Sequence, residues 1–257
     1  LHQVELIYNE PSDNSLRARA DAFWENLQDL ANNPEDIAVR AAVRESALGL
    51  TEIISQQASE FLSLGGKTLN TSVNADIAGI VTDLNGAASE IAQLDRQIQT
   101  QEAAGHNPND LLDKRDGIVK RISKFIDVRV SDGDVDNFLV TVGGITLAQG
   151  VTATAFETKL KSDGTLGIFV KGTSTEVNPG DGELKALFDF RDKQLKAHMD
   201  GLSDFAVTLV EKFNDIHRNG FGLDGSTNVD FFKAFESQTA GIYKITGNNG
   251  SAASSAI

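Results

Sequence analysis

The chain has 257 residues, 40% of them apolar, and a formal charge of −14 from 37 acidic and 23 basic side chains. That is ample material for one large or two smaller cores, and it argues against a nucleic-acid groove, which needs a clustered excess of Lys and Arg. With no Cys, disulfides, thiolate nucleophiles and Cys-based zinc sites are excluded, and no run approaches the roughly 18 uninterrupted apolar residues of a membrane span.

The chain opens without Met in Leu1-His2-Gln3-Val4-Glu5-Leu6, with no signal-peptide layout, and closes in a polar Ser/Ala-rich run, Gly247 to Ile257. The expectation is a fragment of a longer protein. Leu1 to Tyr8 alternates weakly, and Asn9 to Asp13 supplies a turn and a helix cap. A first helix is predicted over about Asp13 to Ala31, with Leu16, Ala20, Phe23, Leu27 and Leu30 on one face. Asn32-Asn33-Pro34 ends it. A second helix follows to Leu64, apolar at Val43, Ala47, Leu50, Ile54, Phe61 and Leu64, with Glu35 and Asp36 suiting its N-terminal dipole.

The third predicted helix, Ser72 to Ala104, has the cleanest period: Ile77, Ile80, Leu84, Ala87, Ile91, Leu94 and Ile98 alternate steps of three and four, the seam of a helix packed on helices. Gly105 to Pro108 turns the chain into a fourth helix, Leu111 to Ile126. From Asp127 the period changes to short runs rich in Val, Thr and Phe: Val128 to Val130, Phe138 to Val142, Thr154 to Leu160 and Leu166 to Val170. Asp163-Gly164 between two such runs predicts a hairpin. Gly182 to Asn219 then reads as one long helix through Leu184, Phe188, Arg191, Leu195, Met199, Leu202, Ala206, Leu209, Phe213 and Ile216, with Arg191 alone breaking the apolar pattern. A Gly-rich turn, an aromatic segment (Phe231, Phe232, Phe235) and a strand-like run, Gly241 to Thr246, close the chain.

The fold class predicted is mainly α with β, an elongated bundle of long helices with an inserted small antiparallel β unit. The domain division expected is a helical bundle from residues 1–126 and 182–230, an inserted β unit at 127–181, projecting from the bundle, and a further β-containing region at 231–257. One internal echo stands out: Leu111-Leu112-Asp113-Lys114-Arg115-Asp116 and Leu187-Phe188-Asp189-Phe190-Arg191-Asp192 flank the β unit, each near a helix start. The plain reading is two similar helix starts, where acids favour the dipole and Arg reaches across to a neighbour's carboxylate; the alternative is a duplicated functional motif.

Chemistry-bearing patterns are thin. Asp132-Gly133-Asp134-Val135-Asp136-Asn137 begins like a calcium loop but has Asn137 in place of Gly and Gly143 in place of the bidentate Glu, so it reads as a polar turn. His2, His106, His198 and His217 form no zinc-protease spacing, and there is no Gly-x-Ser-x-Gly elbow or phosphate loop. Lys114, Arg115, Lys120, Arg121 and Lys124 read as a solvated or interhelical face, and Trp24 with Phe23 as a core or interface anchor. No catalytic, cofactor-binding or metal residue is assigned, and neither a nucleic acid nor a membrane is expected as partner.

Several strings in register carry a family resemblance: Phe23-Trp24-Glu25-Asn26-Leu27 with Leu30-Ala31-Asn32-Asn33-Pro34, then Pro108-Asn109-Asp110-Leu111-Leu112-Asp113-Lys114-Arg115-Asp116, then Gly182-Glu183-Leu184 with Phe190-Arg191-Asp192, then Phe213-Asn214-Asp215-Ile216-His217 with Gly220 and Phe231-Phe232. Together they resemble the FlgK family of bacterial flagellar hook-associated proteins from about Ser12 to Phe232. The resemblance implies a structural, non-enzymatic subunit of the hook-filament junction, secreted by type III export without a cleaved signal peptide. It implies as partners copies of itself in a junction ring, the hook protein, a second junction protein and an export chaperone. The family's terminal helical segments, which drive polymerisation, have no counterpart in this sequence, so the fragment is expected to be a monomer. The alternative class is a secreted adhesin or binding module presenting the β insert on a helical stalk.

Overall fold

The computed structural model describes residues 7–8, 12–65, 71–131, 138–233, 236–237 and 243–244. Four helices come first: α1 (Leu16–Asn32), α2 (Ile37–Gly65), α3 (Ser72–Ala103) and α4 (Asn109–Ile122). Six strands follow, β1 (Val128–Ser131), β2 (Leu139–Val142), β3 (Ile145–Gln149), β4 (Thr152–Ala153), β5 (Phe156–Leu160) and β6 (Leu166–Val170). Next come α5 (Gly182–Asp189), a π-helical segment (Phe190–Leu195) and α6 (Lys196–His217) without a break, and last the short strands β7 (Glu236–Ser237) and β8 (Tyr243–Lys244). Long helices with a small antiparallel β region are the class the periodicities predict. The chain groups into two units, one of residues 1–63 and 195–257, the other of residues 64–194. The predicted β insert falls inside the second, together with α3 and α4.

In the first unit the starts of α1 and α2 are capped locally. Ser15 Oγ accepts the Ala18 N–H at 3.2 Å, and Asp36 Oδ1 accepts the Ala38 N–H at 2.7 Å, satisfying donors that an open helix end leaves bare. The spacing read from α2 holds: Val43, Ala47, Leu50, Ile54 and Phe61 are all buried, facing inward with Leu202, Ala206, Leu209 and Val210 of α6. Ile216 departs from the predicted seam and stands 73% exposed. The buried face of α6 drifts to Val210 and Asn214, one turn apart, and the 100° step of an α-helix swings Ile216 off it. Trp24 is also no core anchor; it lies 48% exposed, its ring 5.5 Å from that of Phe23.

The second unit is built on α3. Ile77, Ile80, Leu84, Ala87, Ile91 and Ile98 are buried as their spacing predicts, at about 1.5–3 kcal/mol per fully covered Ile or Leu. They do not pack on helices alone. One flank of α3 meets α4 and α5 and the other meets β3, β4 and β5, because the sheet's own apolar face (Val140, Val142, Leu147, Ala148) needs cover that a long helix can give. Leu94, predicted inward, is only half-buried, and Asp95 beside it takes the inner position. Asp95 is there for Arg115 of α4, whose Nη1 donates to Asp95 Oδ1 at 2.8 Å while the guanidinium lies 3.4 Å from the centre of the Phe138 ring.

Strands β1 to β4 form one antiparallel sheet in sequence order, and β5 pairs with β6 separately. The β2–β3 turn runs through Gly143 (φ 54°) and Gly144 (φ 78°), the pair of positive dihedrals that a tight hairpin requires. The predicted Asp163-Gly164 hairpin joins β5 to β6 with Leu160 opposite Leu166, and Asp163 Oδ1 accepts the Thr165 N–H at 2.8 Å. Three helical side chains fasten this β region in place. Asn85 of α3 receives the Phe156 N–H on Oδ1 (2.7 Å) and donates Nδ2 to the Phe156 carbonyl (2.9 Å), Arg191 Nη1 donates to the Leu166 carbonyl (3.0 Å), and Arg115 covers Phe138.

The chain leaves the helices at Ile126 and returns at Gly182, and the two points are joined by backbone. The Glu183 N–H donates to the Lys124 carbonyl (3.0 Å) and the Leu184 N–H to the Phe125 carbonyl (2.9 Å), so the bare first turn of α5 is satisfied by the turn that closes α4. Gly182 has φ 85°, and a Cβ there would come within 2.7 Å of the Ile126 nitrogen and the Phe125 carbonyl carbon. Gly182→Ala is expected to lower stability by about 1–3 kcal/mol from the left-handed backbone alone, with the clash adding to it, read as an earlier urea midpoint.

One acid-sensitive contact can be checked the same way. Lys159 and the Gly172 N–H both donate to the Glu157 carboxylate, and the Lys159 bond, the larger influence, holds it below the usual carboxylate range. A depressed carboxylate stabilises above its unfolded pKa and loses that contribution as pH falls through its folded one. Urea midpoints at neutral and acid pH should therefore differ less for Glu157→Gln than for the parent.

Candidate interaction surface

Within the first unit, α1, α6 and the segment after α6 converge on an aromatic cluster. Phe213 lies with ring centres 5.3 Å from Phe23, 4.9 Å from Phe231 and 5.5 Å from Phe232, and Phe231 meets Phe232 edge-on at 4.8 Å. Tilted and edge-on pairs place the positive ring edge on the negative face and add to the area buried. What holds Phe232 there is Asn214. Its Nδ2 donates to the Phe232 carbonyl and its Oδ1 accepts the Phe232 N–H, both at 2.9 Å, so one buried side chain pairs both backbone groups as a neighbouring strand would. Asn85 does the same for Phe156 in the second unit.

The loop between α6 and Phe231 is tied back onto the end of the helix. The Arg218 carbonyl accepts from the Asn228 N–H (2.9 Å) and the Thr227 hydroxyl (3.1 Å), and the Arg218 side chain reaches Asp230 at 2.6 Å and Asp215 at 3.1 Å. The Asp230 bond holds the Arg218 pKa above even its usual high range. His217 donates Nδ1–H to the Val229 carbonyl at 2.7 Å and packs against Phe213 and Phe231. Between this loop and α1 and α2 lies a cavity of about 350 Å³, lined chiefly by Leu27, Leu30, Val43, Phe213, Ile216 and Phe221, with Arg40 and His217 also lining it. Ile216 and Phe221, on its wall, are 73% and 76% exposed.

The other sequence candidates are scattered. His198 Nδ1 and the Tyr8 hydroxyl share a hydrogen bond at 3.0 Å, with the His198 ring stacked on Phe61, and His106 is exposed in the α3–α4 turn. Asp132 to Asn137 and His2 lie outside the described residues. Among the described residues no three His, Cys, Asp or Glu side chains gather closely enough to hold a metal, and no helix is long and apolar enough to cross a membrane. Of the basic run on α4, Arg115 is buried and Arg121 pairs with Glu90 at 3.1 Å on the surface. Sequence reading missed both Asn clamps, since a single Asn inside a helix gives no periodic signal.

Residues 1–232, which include both arginines, both clamps and the aromatic cluster, match the family model described as the flagellar hook-associated protein FlgK helical domain. The chain belongs to this family. It is 31% identical over 232 residues to flagellar hook-associated protein 1 of Escherichia coli K12, an alignment covering 86% of this chain and 42% of that protein. It is 31% identical over 243 residues to the Salmonella typhimurium protein of the same name (90% and 43% covered) and 25% identical over 269 to that of Bacillus subtilis (90% and 51%). The solved structure of the flagellar hook junction protein FlgK from Burkholderia pseudomallei superposes with a TM-score of 0.76 at 25% identity, covering 92% of this chain and 44% of that one. The chain thus spans about half the length of these FlgK-family relatives or less. Their shared name favours the flagellar reading over the adhesin alternative.

Asn214→Ala leaves the Phe232 N–H and carbonyl without their partner in a buried setting, at about 1–3 kcal/mol for each unpaired group. The expected result is a urea midpoint well below the parent's with the aromatic near-ultraviolet signal reduced. Phe221→Ser, on the exposed wall, should move the midpoint by no more than about 0.5 kcal/mol equivalent.

Proposed function

We propose that this chain is the helical part of a structural subunit of the bacterial flagellum that joins hook to filament and catalyses nothing. The observation that carries the reading is the family match over residues 1–232, within which Arg115, Gly182, Arg191 and Asn214 fall on the strings of the resemblance and Asn85 lies between them. Its partners are copies of itself in a junction ring, the hook protein on one side, a second junction protein on the other, and an export chaperone before assembly. It works outside the cell, reached through type III export without a cleaved signal peptide.

Physical properties suit the role. Apolar seams on long helices spread a load over many small dispersion contacts. Polar anchors at Asn85, Arg115 and Arg191 keep the β region from shearing off α3. The test is replacement of the matching segment of the Escherichia coli relative by residues 1–232 of this chain, in a strain lacking the native protein. Restored swimming with filaments attached is expected. Hooks without filaments, and flagellin shed into the medium although the hybrid is exported, would overturn the reading.

A further inference from the structure

Two exposed helix faces, one in each unit, are complementary in charge and in shape. On α1 the indole of Trp24 stands 48% exposed, with Asp21 and Glu25 exposed beside it. Arg17 Nε lies 3.8 Å from Asp21, and Glu25 makes no ion pair among the described residues. A ring so placed adds little to a core, whereas Trp is enriched at the energetic centre of protein interfaces.

The second face is on α4. Gly117 lies in the interior of that helix, exposed, and a Cβ there would meet nothing within 4 Å. Glycine inside a helix costs stability relative to alanine, and no close approach within the chain asks for it. Gly79, Gly86 and Gly201 are equally bare, but only around Gly117 do cations gather: Lys114, Lys120 and Arg121 hold three of the four positions three and four residues away, and Asp113 the fourth. Arg121 bridges to Glu90 at 3.1 Å on the surface, whereas Lys114 and Lys120 make no ion pair among the described residues. The face is a notch, floored by helix backbone and walled by positive side chains.

We propose that the α1 face of one copy packs on the α4 face of a second copy, with Trp24 seated over Gly117 and Asp21 and Glu25 paired with Lys114, Lys120 and Arg121. The bare glycine lets the indole approach the helix, its ring attracts the surrounding cations, and the opposite charges select the pairing. That the occupant is a second copy rests on the charge match together with the junction ring proposed above. A contact between unlike faces is the kind that repeats from copy to copy around a ring. One helix laid on another falls short of the roughly 1,200 Å² of a stable interface, so the contact forms between copies held side by side and leaves the dilute chain monomeric.

Carbodiimide coupling, which joins lysine to carboxylate only where they touch, tests this on the unaltered 257-residue chain. Isotope-labelled and unlabelled protein are mixed equally at about 1 mM, enough to populate a contact with a dissociation constant in that range. Mixed-isotope peptides joining Asp21 or Glu25 to Lys114 or Lys120 are expected, and should be lost in about 1 M salt, where screening sets in within about 3 Å. Gly117→Gln should raise the urea midpoint, since glutamine favours a helix, and yet cut the coupling by about tenfold by filling the notch. Coupling confined to single chains, or unchanged by Gly117→Gln, overturns the contact. If it fails in this way while the Escherichia coli hybrid holds its filaments, the ring reading stands without it. Coupling found as expected beside a hybrid that sheds its filaments supports the contact and counts against the reading.

Discussion

A chain that interrupts a helical run with a β region of more than fifty residues must bring its two cut ends back together, and here two backbone hydrogen bonds do so. Lys124 and Phe125 offer carbonyls, Glu183 and Leu184 offer N–H groups, and neither set has a partner within its own helix. Asp127 closes the gap further, its Oδ1 accepting the Gly180 N–H at 2.7 Å and its carbonyl taking the Gly143 N–H at 3.3 Å. Only a residue without Cβ fits between them, which is why Gly182 stands at the first position of α5 with φ 85°. The strands grow from that joint, and α5 takes its direction from it.

The echo of Leu-x-Asp-x-Arg-Asp on either side of the β region has a physical meaning. Both arginines are buried, both lie over a phenylalanine ring, and both reach a polar group of α3, Asp95 or Asn74. Their outer contacts are with the first residues of strands, Phe138 just before β2 and Leu166 at the start of β6. A buried guanidinium is costly unless its donors are met, so each Arg admits only the arrangement that satisfies it. The pair thereby fixes which strand starts lie against α3, a specification that apolar burial alone does not provide.

The long helices were legible because their apolar positions repeat, and α2 and α3 lie within a few residues of the predicted limits. The strands were half legible. The β5–β6 hairpin announces itself through Asp163-Gly164, whereas β3, with Leu147 and Ala148 both buried in sequence, lacks the alternation that marks a half-exposed strand. The π turn left no trace, since spacing of apolar residues cannot count an extra residue when the intervening side chains are polar. For the candidate surface, the strings Phe213-Asn214 and Phe231-Phe232 were visible as neighbours in a family pattern. That Asn214 pairs both backbone groups of Phe232 needed coordinates, because an amide's partners lie far along the chain.

Asn85 is followed by Gly86, the dipeptide in which the next backbone nitrogen most readily attacks the side-chain amide carbon and displaces ammonia. Two restraints stand against that reaction: the helical backbone of α3, and the pair of hydrogen bonds to Phe156 that occupies both ends of the amide. If the nitrogen were exchanged for oxygen, a carboxylate would confront the Phe156 carbonyl, acceptor against acceptor. The grip that positions a strand is also what preserves the residue making it, so conversion of Asn85 should begin only where α3 has first come loose, later than at the exposed Asn219-Gly220 pair.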